Sequence, residues 1–403
     1  MEVIAMPRGT ALINKDTLAY ICSSKGGSPA FIVSRTKYDP GKVNLWLNPT
    51  EPALPTINQA KSIASCLHIP FAGLYMNSQD IPLKRIPNVR NLRTMQGATI
   101  DDSALNIAVI DVLQERDFLL DANTQFEIAT PSFSPIVPSS NDPVVWAKTI
   151  REHLGLSLEK QIKCPSTRQF YLYLRDQIER SGVFVHCFLD VAVECARGFA
   201  IYEPQLPIIG INDEDRPPAK SFTLIHELVH LYKRESSYCN DMISSANTDA
   251  EEVFCNAVAG ELLVPEKALK IYISNRIFSD PYSLSDLREM ANHFSVSREV
   301  IIRRLLNMGD IDLAEYDAYA AEFRYEIEQE HEERRNARKN GMPVMIPQNI
   351  SRDAIDRTSP SVSRILYHGF KEEVFSKQDV ARHLGIAQKH INKYLLEVAK
   401  WNN

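Results

Sequence analysis

Ten consecutive residues, Ser221-Phe222-Thr223-Leu224-Ile225-His226-Glu227-Leu228-Val229-His230, constrain this chain more than any other stretch, because they set an H-E-x-x-H pattern inside an apolar run. On a helix, side chains at i and i+4 share one face a turn apart, so the imidazoles of His226 and His230 can converge on a single cation. Glu227 lies one residue further round from His226. It is badly placed to be a third ligand but close enough to reach a water on that cation, so the pattern predicts zinc with Glu227 as general base. Leu224, Ile225, Leu228 and Leu231 wrap the same helix in apolar side chains that would bury the histidines, and buried imidazoles without partners are costly.

A catalytic zinc usually takes three protein ligands and leaves a fourth position open. The next helical stretch, Thr248 to Gly260, supplies Asp249, Glu251 and Glu252 at its start, where acidic side chains also suit the helix dipole. Glu252 shares its face with Asn256, Ala259 and Leu263, whereas Glu251 lines up with Cys255, Val258 and Leu262, so periodicity does not choose between them. The residue four positions on does. A metal-bound histidine needs an acceptor for its other ring nitrogen, and Glu252-x-x-x-Asn256 puts ligand and acceptor on one stripe. Glu252 is the expected ligand and Glu251 the alternative.

The run Pro207-Ile208-Ile209-Gly210-Ile211-Asn212, followed by Ser221 to His230, resembles the ImmA/IrrE-type metallopeptidases. So does Glu252-Val253-Phe254-Cys255-Asn256-Ala257-Val258-Ala259-Gly260-Glu261-Leu262-Leu263-Val264-Pro265. The resemblance is most specific over residues 183 to 310 and implies zinc on His226, His230 and Glu252, with Glu227 as base. The chain departs from the family pattern at Val229, where Gly is usual, and at Cys255 and Val258, where Ala and Phe are usual. None of these removes a metal ligand; they bear on substrate fit.

At 403 residues the chain exceeds the usual single-core size. No segment approaches 18 uninterrupted apolar residues, and the start, Met1-Glu2-Val3-Ile4-Ala5-Met6-Pro7-Arg8, lacks a signal-peptide layout, so a cytoplasmic protein with no membrane partner is expected. Seven cysteines without a C-x-x-C pair point to reduced thiols. The net charge of −6 gives no sign of bulk nucleic-acid affinity, although residues 1 to 95 carry eleven Lys and Arg against five Asp and Glu.

In chain order, Ala30-Phe31-Ile32-Val33 and Val43-Asn44-Leu45-Trp46-Leu47 read as strands around an Asp39-Pro40-Gly41 turn. Ile57, Ala60, Ile63, Ala64 and Leu67 form a helical stripe that breaks at His68-Ile69-Pro70 and resumes at Phe71, Leu74 and Tyr75. This resembles a reduced helix-turn-helix, as does the family at this position, and Pro82 to Thr94 resembles a distorted form of the family's next segment. Its second helix carries few residues able to read bases, which favours a packing or partner-binding module over DNA contact. Ala104 to Leu120 is an amphipathic helix, followed by a Pro/Ser/Asn-rich linker from Thr130 to Pro143. Two helices, Val144 to Leu154 and Ser166 to Ser181, precede three short strands at Gly182–Phe188, Gly198–Tyr202 and Leu206–Ile211, whose sheet edge could hold a substrate strand. His186 reads as a sheet residue. Leu284 to Leu306 again has helix-turn-helix spacing; in the family that the chain resembles, such a stretch closes the peptidase domain, which implies core rather than a DNA reader. Glu322 to Lys339 reads as a solvated helix and Gly341 to Pro360 as loop. Ser376 to Ala387, with the helix Ile391 to Trp401, resembles a third helix-turn-helix. Its Gln388, Lys389, His390, Asn392 and Lys393 suit DNA better than the first module does, although such three-helix packings also serve as dimer or substrate docks.

The expected fold is α+β: a mainly helical zincin-like peptidase domain with a small β-sheet, flanked by helix-turn-helix-like helical modules. The expected divisions are 1–95 for the N-terminal module, 96–143 for helix and linker, 144–310 for the peptidase domain and 311–403 for the C-terminal helical module. The expected function is that of a regulatory zinc endopeptidase with Asn256 orienting a ligand. The resemblance implies a protein substrate such as a helix-turn-helix repressor or an antitoxin-like partner, cleaved under stress or phage-related signals. DNA and a second copy of the chain are the other partners that the flanking modules suggest. Tyr232 and Tyr238 are the nearest candidates for stabilising the oxyanion. The alternative is a non-proteolytic DNA- or partner-binding regulator, or a toxin–antitoxin component, with a structural or inactive zinc site.

Overall fold

The computed structural model describes residues 9–24, 27–80, 103–234, 236–239, 250–339 and 349–401. The expected segments Pro82 to Thr94 and Gly341 to Gln348, as well as Thr248 and Asp249, lie outside these. The N-terminal helices α1 (Lys15–Ser24), α2 (Pro29–Thr36), α3 (Pro40–Leu47) and α4 (Ile57–Cys66) close one small core around Leu18, Ile32, Val43, Trp46 and Ile63. Two stretches expected as strands are therefore helices. Ser28 accepts from Phe31 N with Pro29 in the first turn, and Asp39 accepts from Lys42 N with Pro40 in the first turn. The apparent turn Asp39-Pro40-Gly41 is a helix start, and a cap followed by proline overrides the β preference of a short β-branched and aromatic run. After α4, whose Thr56 and Gln59 form a capping box, Phe71–Tyr75 continues as a 3-10 helix rather than an α-helix.

Helix α5 (Ser103–Gln125) leads to the linker, and α6 (Pro143–His153), α7 (Leu158–Ile162) and α8 (Thr167–Arg180) precede the sheet. Strands β1 (Phe184–Phe188), β2 (Gly198–Ile201) and β3 (Ile208–Asn212) match the expected three. A fourth, β4 (Ser237–Cys239), is three residues long and carries too little pattern to be read from sequence. The order is β1-β3-β2-β4, with β1 parallel to β3 and the other pairs antiparallel; Val185 stands opposite Ile209, which in turn stands opposite Ala200.

Both faces of this sheet are buried, and alternation divides its side chains between two cores. Val185, Cys187, Ala200, Ile209 and Ile211 join the larger core with α6, α8 and α9 (Pro217–Tyr232). That core also takes in α10 (Ala250–Leu263), α11 (Glu266–Ser274), α12 (Leu284–Phe294), α13 (Arg298–Met308) and the start of α14 (Leu313–Lys339). Phe184, Phe188, Phe199, Ile201 and Ile208 face the other way. They meet α5 together with α15 (Ile350–Arg357), α16 (Pro360–Lys371), α17 (Lys377–Leu384) and α18 (Ile391–Ala399). Helix α15 occupies a stretch expected as loop, with Asn349 as its cap.

The C-terminal helices are held to α8 by buried polar contacts. Arg175 donates to the carbonyls of Asp356 (2.7 Å) and Ile355 (3.0 Å), and Glu179 accepts from the hydroxyls of Ser359 and Ser361, both at 2.7 Å. Arg168 Nε donates to Asp356 Oδ2 at 2.6 Å. Among the six cysteines whose side chains are described, no disulfide is formed. No described helix is long and apolar enough to cross a membrane.

Candidate metal centre

Helix α9 begins with two prolines, and every residue from Ala219 to Tyr232 is buried. A helix apolar all round belongs in a core, and this one is packed between β2 and β3 on one side and α8 and α10 on others. Close approach to the sheet depends on Gly198 of β2. A Cβ there would stand 2.5 Å from Thr223 Cγ2, 3.0 Å from the Gly210 carbonyl oxygen and 3.4 Å from Glu227 Cγ. Glu227, fully buried, therefore rests its side chain against the β2 backbone.

Across from α9, helix α10 buries Glu252, Cys255, Val258 and Ala259. Its position is fixed by Phe254 packing edge-on to Trp146 of α6 and by the buried ion pair of Glu261 with Arg304 of α13. The result is a compact triangle of donor atoms. His226 Nε2 and His230 Nε2 are 3.1 Å apart, and each lies 3.2 Å from one oxygen of the Glu252 carboxylate. Three ligands at about 2.0–2.1 Å on a tetrahedral zinc stand about 3.3 Å from one another, so the three donors already have the spacing of one face of that tetrahedron. With both imidazoles deprotonated at Nε2, a cation between them and the carboxylate would satisfy all three lone pairs at once. Burial pushes the Glu252 carboxyl up, but hydrogen bonding and charge from His226 and His230 outweigh it and hold the carboxyl well below the usual range.

Asn256 Oδ1 lies 2.9 Å from His226 Nδ1. As acceptor it places the ring proton on Nδ1 and frees Nε2 for a metal, the arrangement that orients metal-binding histidines. From sequence, Cys255 stands on the stripe of Glu251 and departs from the family pattern, with no role at the metal. In the fold its thiol Sγ is 3.9 Å from His230 Nδ1, a weak partner in the corresponding place. Glu251 forms an ion pair with Lys233 at the end of α9, yet it stays beside the cluster, with a carboxylate oxygen within 4.8 Å of a His230 ring nitrogen and of Cys255 Sγ; both histidines contact Glu252 directly. Tyr232 lies two residues, roughly 200°, past His230 on the helix; its ring meets Phe133 of the linker and His153 of α6, away from the histidine face. It does not present an oxyanion donor to the cluster. The side chain of Tyr238 lies outside the described residues. Gly198 carried no signal in the sequence, because the need for it comes from Thr223 and Glu227 on a helix that begins only at Pro217.

Residues 179–306 match the family model described as the IrrE N-terminal-like domain, a metallopeptidase-type family, and the matched segment contains β1 to β3, α9, α10 and the whole donor triangle. No curated protein and no solved structure matches the chain. The segment from 179 to 306, with its two-histidine helix, its small sheet and the carboxylate delivered by α10, is an IrrE N-terminal-like domain of the ImmA/IrrE type.

Proposed function

We propose that this protein is a zinc-dependent endopeptidase that cleaves a protein partner in a regulatory setting. The observation that carries the reading is the buried triangle of His226, His230 and Glu252, with donor separations of 3.1 to 3.2 Å, and Glu227 one residue away on the same helix. A zinc ion held by those three residues would polarise a scissile carbonyl and acidify a water beside it. Glu227, seated against β2, takes the proton from the attacking water and passes it to the leaving amine. Asn256 keeps the His226 ring in the tautomer that leaves Nε2 free. Glu251 is ion-paired with Lys233 beside the cluster, while Glu252 is the carboxylate in direct contact with both histidines.

The resemblance to ImmA/IrrE-type peptidases supports a helix-turn-helix repressor or an antitoxin-like protein as substrate, docked through the flanking helical modules. The exposed polar face of Gln388, Lys389 and Asn392 favours a second reading, a DNA- or partner-binding regulator whose zinc site does not catalyse. Glu227→Gln separates the two. The zinc-loaded chain and this variant are incubated with candidate helix-turn-helix repressor and antitoxin-like proteins. Peptidase activity requires that the variant keep one zinc per chain and lose cleavage; cleavage that survives the substitution, or a parent chain that takes up no zinc, rules the peptidase reading out.

A further inference from the structure

A cleft of about 330 Å³ lies where α2 and α4 meet α5 and the end of β1, on the side of the sheet away from α9. Its volume is at the lower end of small-molecule sites. Phe31, Ile107, Val112 and Phe188 give it apolar walls on one part of a lining that is otherwise polar. The charged side chains on its lining are matched in place. Arg35 forms an ion pair with Asp190 at 3.1 Å, and His68 Nδ1 is hydrogen-bonded to the Asp111 carboxylate. Burial pushes the Cys66 thiol up to about 11, so it is neutral at physiological pH.

His186 of β1 also lines the cleft, and its Nδ1 is buried with no hydrogen-bond partner among the described residues. Its ring stacks on Phe184 with centroids 5.9 Å apart. Burial, helped by Arg175 and His383 and opposed by Glu115 and Asp111, draws its pKa below the ordinary value, which leaves a neutral imidazole with one donor and one acceptor. A buried polar atom without a partner is costly, and nothing in the peptidase chemistry uses this one.

We propose that the cleft binds a small uncharged heteroaromatic molecule, of nucleobase or nucleoside size, with its ring among the apolar side chains and its polar edge on His186. Aromatic rings pack favourably against the phenyl groups of Phe31 and Phe188. An anion would find each lining cation already paired and would meet the carboxylates of Asp111 and Asp190. Because the walls come from the N-terminal helices, α5 and the sheet together, a ligand here binds the docked arrangement and raises the thermal stability of the whole chain.

Calorimetric titration of the full-length chain with adenine, adenosine, cytidine and indole tests this, with AMP and inorganic phosphate as charged comparisons. The expected result is saturable binding of at least one uncharged compound, with AMP weaker and phosphate silent. His186→Phe keeps the stacked ring and removes the nitrogen; it should weaken binding roughly tenfold, the loss of about one net hydrogen bond. Ala108→Leu fills the cleft and should abolish binding. Both variants are checked by circular dichroism and zinc content, and if one fails to fold the other carries the test. Absence of binding by all four compounds overturns the proposal, as does preference for AMP or phosphate, or undiminished binding in a folded variant.

Discussion

Replacing Gly198 by alanine tests whether the approach of α9 to β2 sets the site. The added Cβ falls 2.5 Å from Thr223 Cγ2, closer than side-chain carbons come, and 3.0 Å from a backbone oxygen, while its 3.4 Å to Glu227 Cγ is ordinary contact. Thr223 is buried and the sheet is closed on its other face by Phe199, so neither side yields freely. Overpacking of this kind costs about 1–3 kcal/mol; we expect about 2 kcal/mol, with α9 displaced and zinc affinity reduced. Thr223→Ser removes the clashing methyl and by itself costs about 1 kcal/mol. If the two sites were independent, the double variant would lose about 3 kcal/mol. Relief of the clash should instead bring it to about 1–2 kcal/mol and restore zinc binding. Urea unfolding of the four proteins, with zinc content by atomic absorption, measures both quantities. A Gly198→Ala variant within about 0.5 kcal/mol of the parent, or strict additivity in the double variant, would refute the reasoning.

Further outcomes follow from the same geometry. Asn256→Ala leaves the His226 ring without its orienting acceptor and should weaken zinc binding by about 10–100-fold in chelator competition. Glu252→Ala should abolish zinc binding, whereas Glu251→Ala should retain one zinc and lose no more than about 1 kcal/mol with the partly exposed Lys233 pair; the reverse pattern would exchange the two carboxylates. Burial raises the Asp176 carboxyl, but Arg180 and Arg364 more than compensate and hold it below the ordinary range. The folded chain therefore binds this proton less readily than the unfolded one, and the stability that Asp176 contributes above the ordinary carboxylate pKa is lost as the pH falls through its lowered value. Unfolding measured between neutral pH and about pH 3 should fall less steeply for Asp176→Asn than for the parent.

The spacing of the candidate donors was legible along the chain because it is local. H-E-x-x-H on an apolar helix fixes the separation of two imidazoles by helical geometry alone, and Glu252 with Asn256 repeats the same one-turn logic on α10. The three strands were legible for a related reason: β-branched runs bounded by turn residues carry their own period. Where local signals competed, the reading failed. Phe31 and Trp46 lie in runs with strand composition, yet Ser28-Pro29 and Asp39-Pro40 start helices there, since a satisfied cap acts on the backbone directly while β preference depends on neighbours that those residues do not have.

What tertiary structure alone decided is how distant segments meet. Nothing near residue 198 announces that a side chain there would strike Thr223, and nothing near Cys255 announces that its thiol faces His230 rather than solvent. The separation of Glu252 from the histidines depends on α10 being held by Trp146 from one side and Arg304 from the other, residues more than 100 and about 50 positions away. The partnership of α5 with the C-terminal helices, and the cleft between the N-terminal helices and β1, are likewise products of packing. Periodicity records which face of an element is apolar; which other apolar face covers it is settled only when the whole chain closes its cores.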